Sequence, residues 1–226
     1  MAVTVKNLSG IRTTRVSLAV DLAVRLKEDI LSGRLKKDDK LTEQAVCEAY
    51  QVSRTPVREA LFSLEAEGLV KIIPNRGAFV VGLSAREMED IFTLRRLNEV
   101  QAVRWAIERI TDDEMDELEE NFEFMEFYTM KKDLEKMLNI NVNFHRMIYR
   151  ASHNRMLSQL LTSYQIYVRH MPTIDLDRET YLNTLLEEHR RIFSAFRSGD
   201  AEAGALAMED HMRRSRERHR LPEMAE

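Results

Sequence analysis

The sequence predicts a mainly α-helical protein in two parts, a small helical domain with one short β-hairpin followed by an all-α bundle. Two observations lead to this fold class. A strong helix signal near residue 55 is followed by two short β-rich runs that end at Gly82. Beyond Gly82, glycine and proline are rare, no alternating strand pattern is present, and capping signals separate stretches of helical hydrophobic period.

Length and composition favour a folded protein of the cytoplasm without membrane contact. A chain of 226 residues with 44% hydrophobic and 32% charged residues can bury two cores and is not disordered. No apolar run approaches the roughly 18 residues of a membrane helix, and the N-terminus lacks the apolar core of a signal peptide. The single cysteine, Cys47, excludes an intramolecular disulfide and suits a reducing compartment.

Charge is unevenly distributed along the chain. Residues 1–83 contain 13 Lys and Arg against 10 Asp and Glu, whereas the remainder contains 21 against 28. The whole chain has a formal charge of −4. A mildly basic first third beside an acidic remainder favours nucleic-acid contact that is confined to the first domain.

The first domain is predicted to span residues 16–83, after a flexible tail at residues 1–15. Its first helix is amphipathic and ends at Gly33. The apolar positions that predict this helix are Leu18, Leu22, Leu26 and Ile30. A polar turn at residues 36–40 then leads to Leu41, which we expect to form a very short strand.

The segment from Val52 to Gly68 predicts a helix with two different faces. Ser53 or Thr55 can cap its N-terminus, and Pro56 is compatible with a first turn, where amides lack intrahelical partners. Gly68 ends the helix. The predicted buried face consists of Val57, Ala60, Leu61 and Leu64.

A second face of this helix carries Arg54 and Arg58, which lie four residues apart and therefore project together. A short helix at residues 42–50 precedes it across a tight turn. Two helices in this arrangement, the second led by paired arginines, are typical of a DNA-binding helix-turn-helix. The β-rich runs at 69–74 and 78–82 predict a hairpin, which would be the wing of a winged helix-turn-helix.

The predicted DNA contacts follow from side-chain chemistry. Arg54 and Arg58 can each bind the O6 and N7 atoms of guanine in the major groove. Hydroxyl side chains suit phosphate contacts, and an arginine at the wing tip suits phosphate or the minor groove. The predicted set is Thr42, Gln44, Ser53, Arg54, Thr55, Arg58, Asn75, Arg76 and Gly77.

The second domain is predicted to span residues 84–220 as a bundle of about six helices with short connections, before a tail at 221–226. Ser84-x-x-Glu87 and Thr111-x-x-Glu114 are capping-box signatures that begin the first two helices. The remaining helices are predicted at about 132–151, 154–170, 178–197 and 200–219.

Polar residues occupy core positions on three of these helices. Asn141 and His145 lie one turn apart on a stripe that otherwise contains Leu134, Leu138 and Ile148. His189 lies among aliphatic residues in the same way, and His211 is at helical spacing from Gly204 and Ala207. Imidazole nitrogens with an amide oxygen suit Zn²⁺ or another divalent transition metal. The alternative is that each histidine is a hydrogen-bonded core residue.

The first domain resembles the GntR family of bacterial transcription regulators. The residues that carry the resemblance are Ile30-Leu31-Ser32-Gly33, Leu41-Thr42-Glu43, Val52 through Leu61, Leu64, Glu67-Gly68-Leu69-Val70 and Pro74 through Val80. The resemblance spans most of residues 17–83 and implies a winged helix-turn-helix that binds a palindromic DNA operator as a homodimer.

The second domain resembles the FCD effector domain of the FadR-like branch of this family. The matching pieces are Asp90-Ile91, Arg95 with Glu99, Phe144-His145, Ala151-Ser152 with Asn154, Glu188-His189, Gly199-Asp200 and His211. The resemblance implies a metal held by Asn141, His145, His189 and His211, with Zn²⁺ favoured and Ni²⁺ or Mn²⁺ as alternatives. It also implies that Arg95, with Asn98 on the same helical face, binds a small carboxylate effector. The alternative for Arg95 is a surface ion pair with Glu99.

These observations predict a ligand-responsive DNA-binding regulator, a repressor rather than an enzyme. A metal-sensing regulator without an organic effector remains an alternative. So do a regulator whose bundle holds a long apolar ligand and a metal-dependent hydrolase with a DNA-binding appendage. No general-base motif such as H-E-x-x-H supports the hydrolase.

Overall fold

The computed structural model describes residues 13–169 and 177–219 and divides the chain into two compact units between Leu83 and Ser84. The predicted tails, residues 1–15 and 221–226, lie almost wholly outside the described residues. The first helix already begins at Thr13, within the predicted N-terminal tail.

The first unit is a winged helix-turn-helix, as predicted. Its elements in chain order are α1 (Thr13–Leu31), β1 (Lys40–Leu41), α2 (Glu43–Tyr50), α3 (Arg54–Ala66), β2 (Val70–Ile73) and β3 (Gly77–Val80).

The core of the first unit lies between α1, α3 and the sheet. Leu22 and Leu26 of α1 and Val57 and Leu64 of α3 are essentially inaccessible to solvent. Leu18 was predicted to belong to the same stripe but is 42% exposed, whereas the adjacent Ala19 is buried, so the buried face of α1 begins at Ala19. The remaining predicted core positions are buried, and this core fixes the orientation of α3.

The three strands form one antiparallel sheet in the order β1-β3-β2. Leu41 pairs with Ala78, which confirms the predicted short strand, and Ile73 pairs with Gly77 across the hairpin. The turn is tight, since the amide of Arg76 donates to the carbonyl of Ile73 at 3.0 Å.

The second unit is entirely helical in its described residues. Its elements are α4 (Ala85–Arg109), α5 (Asp112–Met130), α6 (Leu134–Ala151), α7 (Arg155–Arg169), α8 (Arg178–Ser198) and α9 (Ala201–Glu217). Both predicted capping boxes form, at Ser84 with Glu87 and at Thr111 with Glu114. The six predicted helices are therefore confirmed, with ends that differ by one or two residues.

The bundle core corrects one predicted stripe. On α6 the buried aliphatic positions include Met137 and Ile148, whereas Leu138 is 37% exposed. Leu138 instead faces a cavity that the polar residues of α6 also line. Part of the stripe therefore lines the cavity, and α6 packs mainly against α5, α4 and α7. No described helix is both long and apolar enough to span a membrane.

Candidate metal centre and candidate nucleic-acid interface

The helix-turn-helix positions the predicted DNA-contacting residues at the N-terminal end of α3. Gln51 adopts the left-handed conformation with φ of 56° and ends α2, so the chain turns directly into α3. Ser53 occupies the N-cap position of α3 but its side chain makes no capping hydrogen bond. The hydroxyl of Ser53 is therefore available for another partner, together with the positive end of the helix dipole.

Arg54 and Arg58 are both exposed, as is Thr55 between them. The Nε of Arg58 donates to Oε1 of Glu43 at 2.6 Å, a contact from α3 to the first turn of α2. This hydrogen bond lowers the pKa of the Glu43 carboxyl. The pair lies at the surface, where solvent weakens an ion pair, so Arg58 can exchange Glu43 for another acceptor.

The two predicted DNA-contacting residues at the start of α2 make local hydrogen bonds. The side chain of Thr42 accepts a hydrogen bond from the amide of Ala45 at 3.1 Å and caps α2. The exposed Gln44 donates to Glu48 at 2.9 Å along the same helix.

The wing tip presents Asn75 and Arg76 to solvent. Asn75 has φ of 61° and Gly77 has φ of 96°, both in the left-handed region that a tight hairpin needs. A Cβ at Gly77 would lie 3.2 Å from the carbonyl oxygen of Leu41. The close backbone approach at Gly77 is therefore an approach to β1 of the same sheet, which gives this glycine a role within the fold.

Three helices of the second unit bring His145, His189 and His211 together. All three side chains are buried, and one ligand atom of each lies within 4.8 Å of the others. The Nε2 atoms of His145 and His211 are 3.2 Å apart. The sequence pattern placed these residues on separate stripes of α6, α8 and α9, and the bundle joins the stripes in its interior.

The opposite nitrogen of each ring faces an oxygen acceptor. Nδ1 of His189 lies 2.7 Å from the carbonyl oxygen of Leu185, and Nδ1 of His211 lies 2.8 Å from Oε2 of Glu188. Nδ1 of His145 lies 3.2 Å from Oε2 of Glu99. Since each Nδ1 must donate to these oxygens, the neutral tautomer of each ring leaves a lone pair on Nε2.

The cluster consequently directs lone pairs into one buried space. Nε2 of His189 and Oδ1 of Asn141 are both buried without a hydrogen-bond partner among the described residues. Unpartnered buried acceptors are costly unless a cation or a donor satisfies them. Three imidazole nitrogens and one amide oxygen are ligand atoms that fit a divalent transition metal.

Burial opposes protonation of two of these histidines. It lowers the pKa of His189 well below the ordinary value, and the neighbouring His211 and His145 lower it further. Burial also lowers the pKa of His211 well below its ordinary value, followed by the effects of His145 and Arg218. Both rings are therefore neutral at pH 7, which is the form that binds a metal.

Two arginines hold the two carboxylates that face the histidines. Arg95 is only 6% exposed, and its Nε donates to Oε1 of Glu99 at 2.9 Å. Arg218 donates from both terminal nitrogens to the two oxygens of Glu188 at 2.7 and 2.8 Å. Burial alone would raise the pKa of Glu99, but the neighbouring His145 and Arg95 outweigh it and lower that pKa to about 2.

A cavity of about 260 Å³ adjoins the histidine cluster. It is lined by the two arginines, by His145 and His211 of the three clustered histidines, and by further polar side chains of α6, α7, α8 and α9. The residues that line it are Arg95, Glu135, Leu138, Asn139, Asn141, Val142, His145, Gln165, Val168, Arg169, Tyr181, Leu185, His211, Ser215, Arg218 and His219.

Family models match both units of the chain. The model described as "Bacterial regulatory proteins, gntR family" matches residues 18–80, and the model described as "FCD domain" matches residues 90–214, which is more than half of the chain. The chain belongs to the GntR family and carries an FCD domain.

Named relatives are transcription regulators that match both domains of this GntR protein. The uncharacterized HTH-type transcriptional regulator YdhC of Bacillus subtilis (strain 168) is 30% identical over 181 residues, 79% of this chain and 80% of that protein. The HTH-type transcriptional repressor RspR of Escherichia coli (strain K12) is 27% identical over 187 residues, 83% of this chain and 82% of that protein.

A solved structure shares the fold of this GntR protein. The E. coli protein McbR/YncC superposes with a TM-score of 0.70 at 23% identity, covering 88% of this chain and 95% of that chain. The predicted family and fold class are thus confirmed, and the chain is a DNA-binding transcription regulator of the GntR/FCD type.

The FCD domain does not bring every predicted effector residue to the cavity. Arg95 lines it, whereas Asn98 is half-buried, donates from Nδ2 to the carbonyl of Leu94 at 2.7 Å and is absent from the cavity wall. The alternative for Arg95 is half correct, since it does pair with Glu99, but the pair is buried rather than at the surface.

The sequence pattern missed several polar residues of the FCD cavity. Glu99 and Glu188 are buried beside apolar neighbours at helical spacing, which was the available signal, but their position behind the histidines is a property of the folded bundle. Arg218 and His219 follow the last apolar positions of α9 and carried no core pattern, yet both line the cavity.

Two other histidines of the second domain also lack a core pattern in the sequence. His153 is exposed and its Nε2 lies 2.9 Å from Oε2 of Glu114, and His170 lies outside the described residues.

Proposed function

We propose that this GntR protein is a repressor whose affinity for a palindromic operator is changed by a small carboxylate bound beside a divalent metal in the FCD domain. The observation that carries this proposal is the convergence of three imidazole Nε2 lone pairs next to a cavity lined by Arg95. RspR, which matches over most of this chain, is named a repressor, and we extend that role to the present protein.

Asn141, His145, His189 and His211 would hold the metal through the amide oxygen and the Nε2 nitrogens. Zn²⁺ is favoured by this ligand set, and Ni²⁺ or Mn²⁺ are alternatives. A bound divalent ion supplies a Lewis-acid position for a carboxylate oxygen. The Asn141 oxygen brings no negative charge, so the protein leaves more of the ion's charge for the effector to balance.

The balance of charges around the histidine cluster favours the binding of an anion. The carboxylates of Glu99 and Glu188 are balanced by the guanidiniums of Arg95 and Arg218, and His189 and His211 are neutral. A divalent ion therefore adds two uncompensated positive charges to a buried site, where unbalanced charge is expensive. A small carboxylate that reaches the ion and Arg95 reduces this imbalance, and the cavity of about 260 Å³ limits its size.

Arg54 and Arg58 are proposed to read base edges in the major groove, with Arg76 at the phosphate backbone or minor groove. A single winged domain has a small interface, so specificity requires two copies on two half-sites.

We place the homodimer interface on the outer side of α4 and the adjoining α7. Leu94 and Leu97 of α4 are exposed, as are Met156 and Leu160 of α7, and the two helices are neighbours in the bundle. Exposed large aliphatic side chains on neighbouring helices of one domain are typical of an interface between subunits.

Replacing Leu97 by Asp is expected to weaken the dimer by at least about 30-fold, because the charge would be buried at the centre of the interface. Sedimentation across a concentration series measures the effect. Phe127→Asp, which changes a comparably exposed residue of α5, is the matched control. If the dimer of the Phe127 variant dissociated and that of the Leu97 variant did not, the interface would be assigned to α5.

Selection of binding sites from random duplex DNA by the full-length protein would first supply an operator. Operator affinity is then measured for metal-loaded and chelated protein with a panel of small carboxylates. The proposal expects one carboxylate to change affinity only when the metal is present. A change caused by metal alone would favour a metal-sensing regulator, and no change under any condition would contradict ligand control.

A further inference from the structure

We infer that Glu99 and Glu188 are positioning residues for the metal centre, each held by a cavity-lining arginine and each orienting one histidine ligand. This inference rests on the proposed metal site and names residues that act through the ligands rather than touching the ion. The two sets run in parallel, Arg95–Glu99–His145 and Arg218–Glu188–His211.

The contacts at Glu188 form a continuous chain of charged hydrogen bonds. Arg218 donates to both carboxylate oxygens, and Oε2 also accepts from Nδ1 of His211 at 2.8 Å. All three side chains are buried. A bidentate arginine fixes the plane of the carboxylate, and the carboxylate in turn fixes the ring of His211 with Nε2 toward the cluster.

The contacts at Glu99 repeat this arrangement on a different helix. Oε1 accepts from Nε of Arg95 and from the hydroxyl of Tyr149, and Oε2 faces Nδ1 of His145. Glu99 is completely buried. His189, by contrast, uses the backbone carbonyl of Leu185 as its Nδ1 acceptor. Two of the three rings are therefore oriented by full negative charges that also make the imidazoles stronger ligands.

Each of the two arginines therefore has two roles, one toward its carboxylate and one toward the cavity. Arg95 and Arg218 line the cavity, so an anion that enters it meets the same side chains that hold the carboxylates. The affinity for the metal is then set partly by residues outside the ligand set.

The test uses Co²⁺ as the probe with the full-length protein, because its visible absorption reports the geometry of the ligands. Glu188→Leu alone would leave Arg218 buried without a partner, so the variant to use is Glu188→Leu combined with Arg218→Met, which removes both charges. We expect Co²⁺ affinity to fall about 10- to 100-fold and the absorption spectrum to change. Glu188→Gln combined with Arg218→Met should recover part of the affinity, since the amide oxygen still accepts from Nδ1.

Glu209→Leu combined with Arg96→Met is the matched control, because this Arg–Glu pair also links side chains that are far apart in the chain but lies at the surface. It should leave both the affinity and the spectrum unchanged. On the second set, Glu99→Gln combined with Arg95→Met, which removes both charges of the buried pair, is expected to reduce Co²⁺ affinity about 10-fold.

The outcomes separate the inference from the proposed function. A wild-type protein that binds no Co²⁺ would overturn the metal site and the inference with it. Wild-type binding that persists with the same affinity and spectrum in the Glu188 and Glu99 variants would overturn the inference alone. A lower unfolding temperature with an unchanged spectrum would also count against it, since that result assigns the glutamates a purely structural role.

Discussion

The two units of the protein use polar residues in opposite ways. On the winged domain, Arg54, Arg58 and Arg76 are exposed and make few contacts, so each can act on a partner separately. In the FCD domain, the functional candidates are buried and each holds the next through hydrogen bonds. The first arrangement suits a surface that adapts to DNA, and the second suits a site whose geometry is fixed before a ligand arrives.

The largest expected effect is on metal binding by the buried residues of the FCD domain. Replacing His189 by Ala removes one of the three convergent nitrogens. Loss of a residue that only orients a ligand lowers metal affinity about 10- to 100-fold, so loss of the ligand itself should lower metal affinity further. Calorimetric titration and the metal content of purified protein measure it. His153→Ala removes an exposed histidine of the same unit and is the control. Retention of full metal affinity by the His189 variant would remove this residue from the ligand set.

Among the exposed arginines of the winged domain, Arg58 is expected to matter most. Arg58→Ala should weaken binding to the selected operator about 5- to 150-fold, which corresponds to about 1–3 kcal/mol for one bidentate base contact. Fluorescence anisotropy measures the change, and the circular dichroism spectrum should stay the same because the side chain is at the surface. Arg213→Ala removes an exposed, ion-paired arginine of the FCD domain as the control. Equal operator affinity for wild type and the Arg58 variant would refute the proposed reading face.

A smaller effect is expected at the wing. Arg76→Ala should reduce affinity for all sequences alike and lower the slope of log affinity against log salt by about 1, because a phosphate contact carries no sequence information. Titrations at several salt concentrations on the operator and on an unrelated duplex measure both quantities. A loss confined to the operator would instead assign Arg76 a base contact in the minor groove.

The smallest expected effect concerns Glu43, whose carboxylate accepts a hydrogen bond from Arg58 in the free protein. Glu43→Gln should change stability by less than about 1 kcal/mol, since the pair is exposed. Operator affinity should rise modestly, because a negative charge near the phosphates is removed and Arg58 is released. Reduced affinity would mean that Glu43 orients Arg58 for base contact, and the exposed surface would then be preorganised like the buried one.

The same contrast explains what the sequence could predict. Arg54 and Arg58 are local: spacing on one helix places them on one face, and capping residues and Gly68 mark the helix ends. The capping boxes at Ser84 and Thr111 predicted the starts of α4 and α5 for the same reason. Such features depend on neighbours within one turn of the chain.

The buried network depends on distances between helices that the sequence does not contain. The three histidines were identified because an imidazole on an apolar stripe is conspicuous. Glu188 and Arg218 are 30 residues apart in the chain, and only the packing of α8 against α9 joins them. Leu138 was assigned to the core because it shares a stripe with Asn141 and His145, although that stripe faces the cavity.

Thermal unfolding of the full-length protein, metal-loaded and after chelation, with a panel of small carboxylates, tests the central claim most directly. A ligand that binds only the folded state at 100 times its dissociation constant should add about 2.7 kcal/mol of stability. The account predicts that Zn²⁺ raises the unfolding temperature and that at least one carboxylate raises it further only in the metal-loaded protein. An unfolding temperature that neither metal nor any carboxylate changes would contradict the account of the FCD domain.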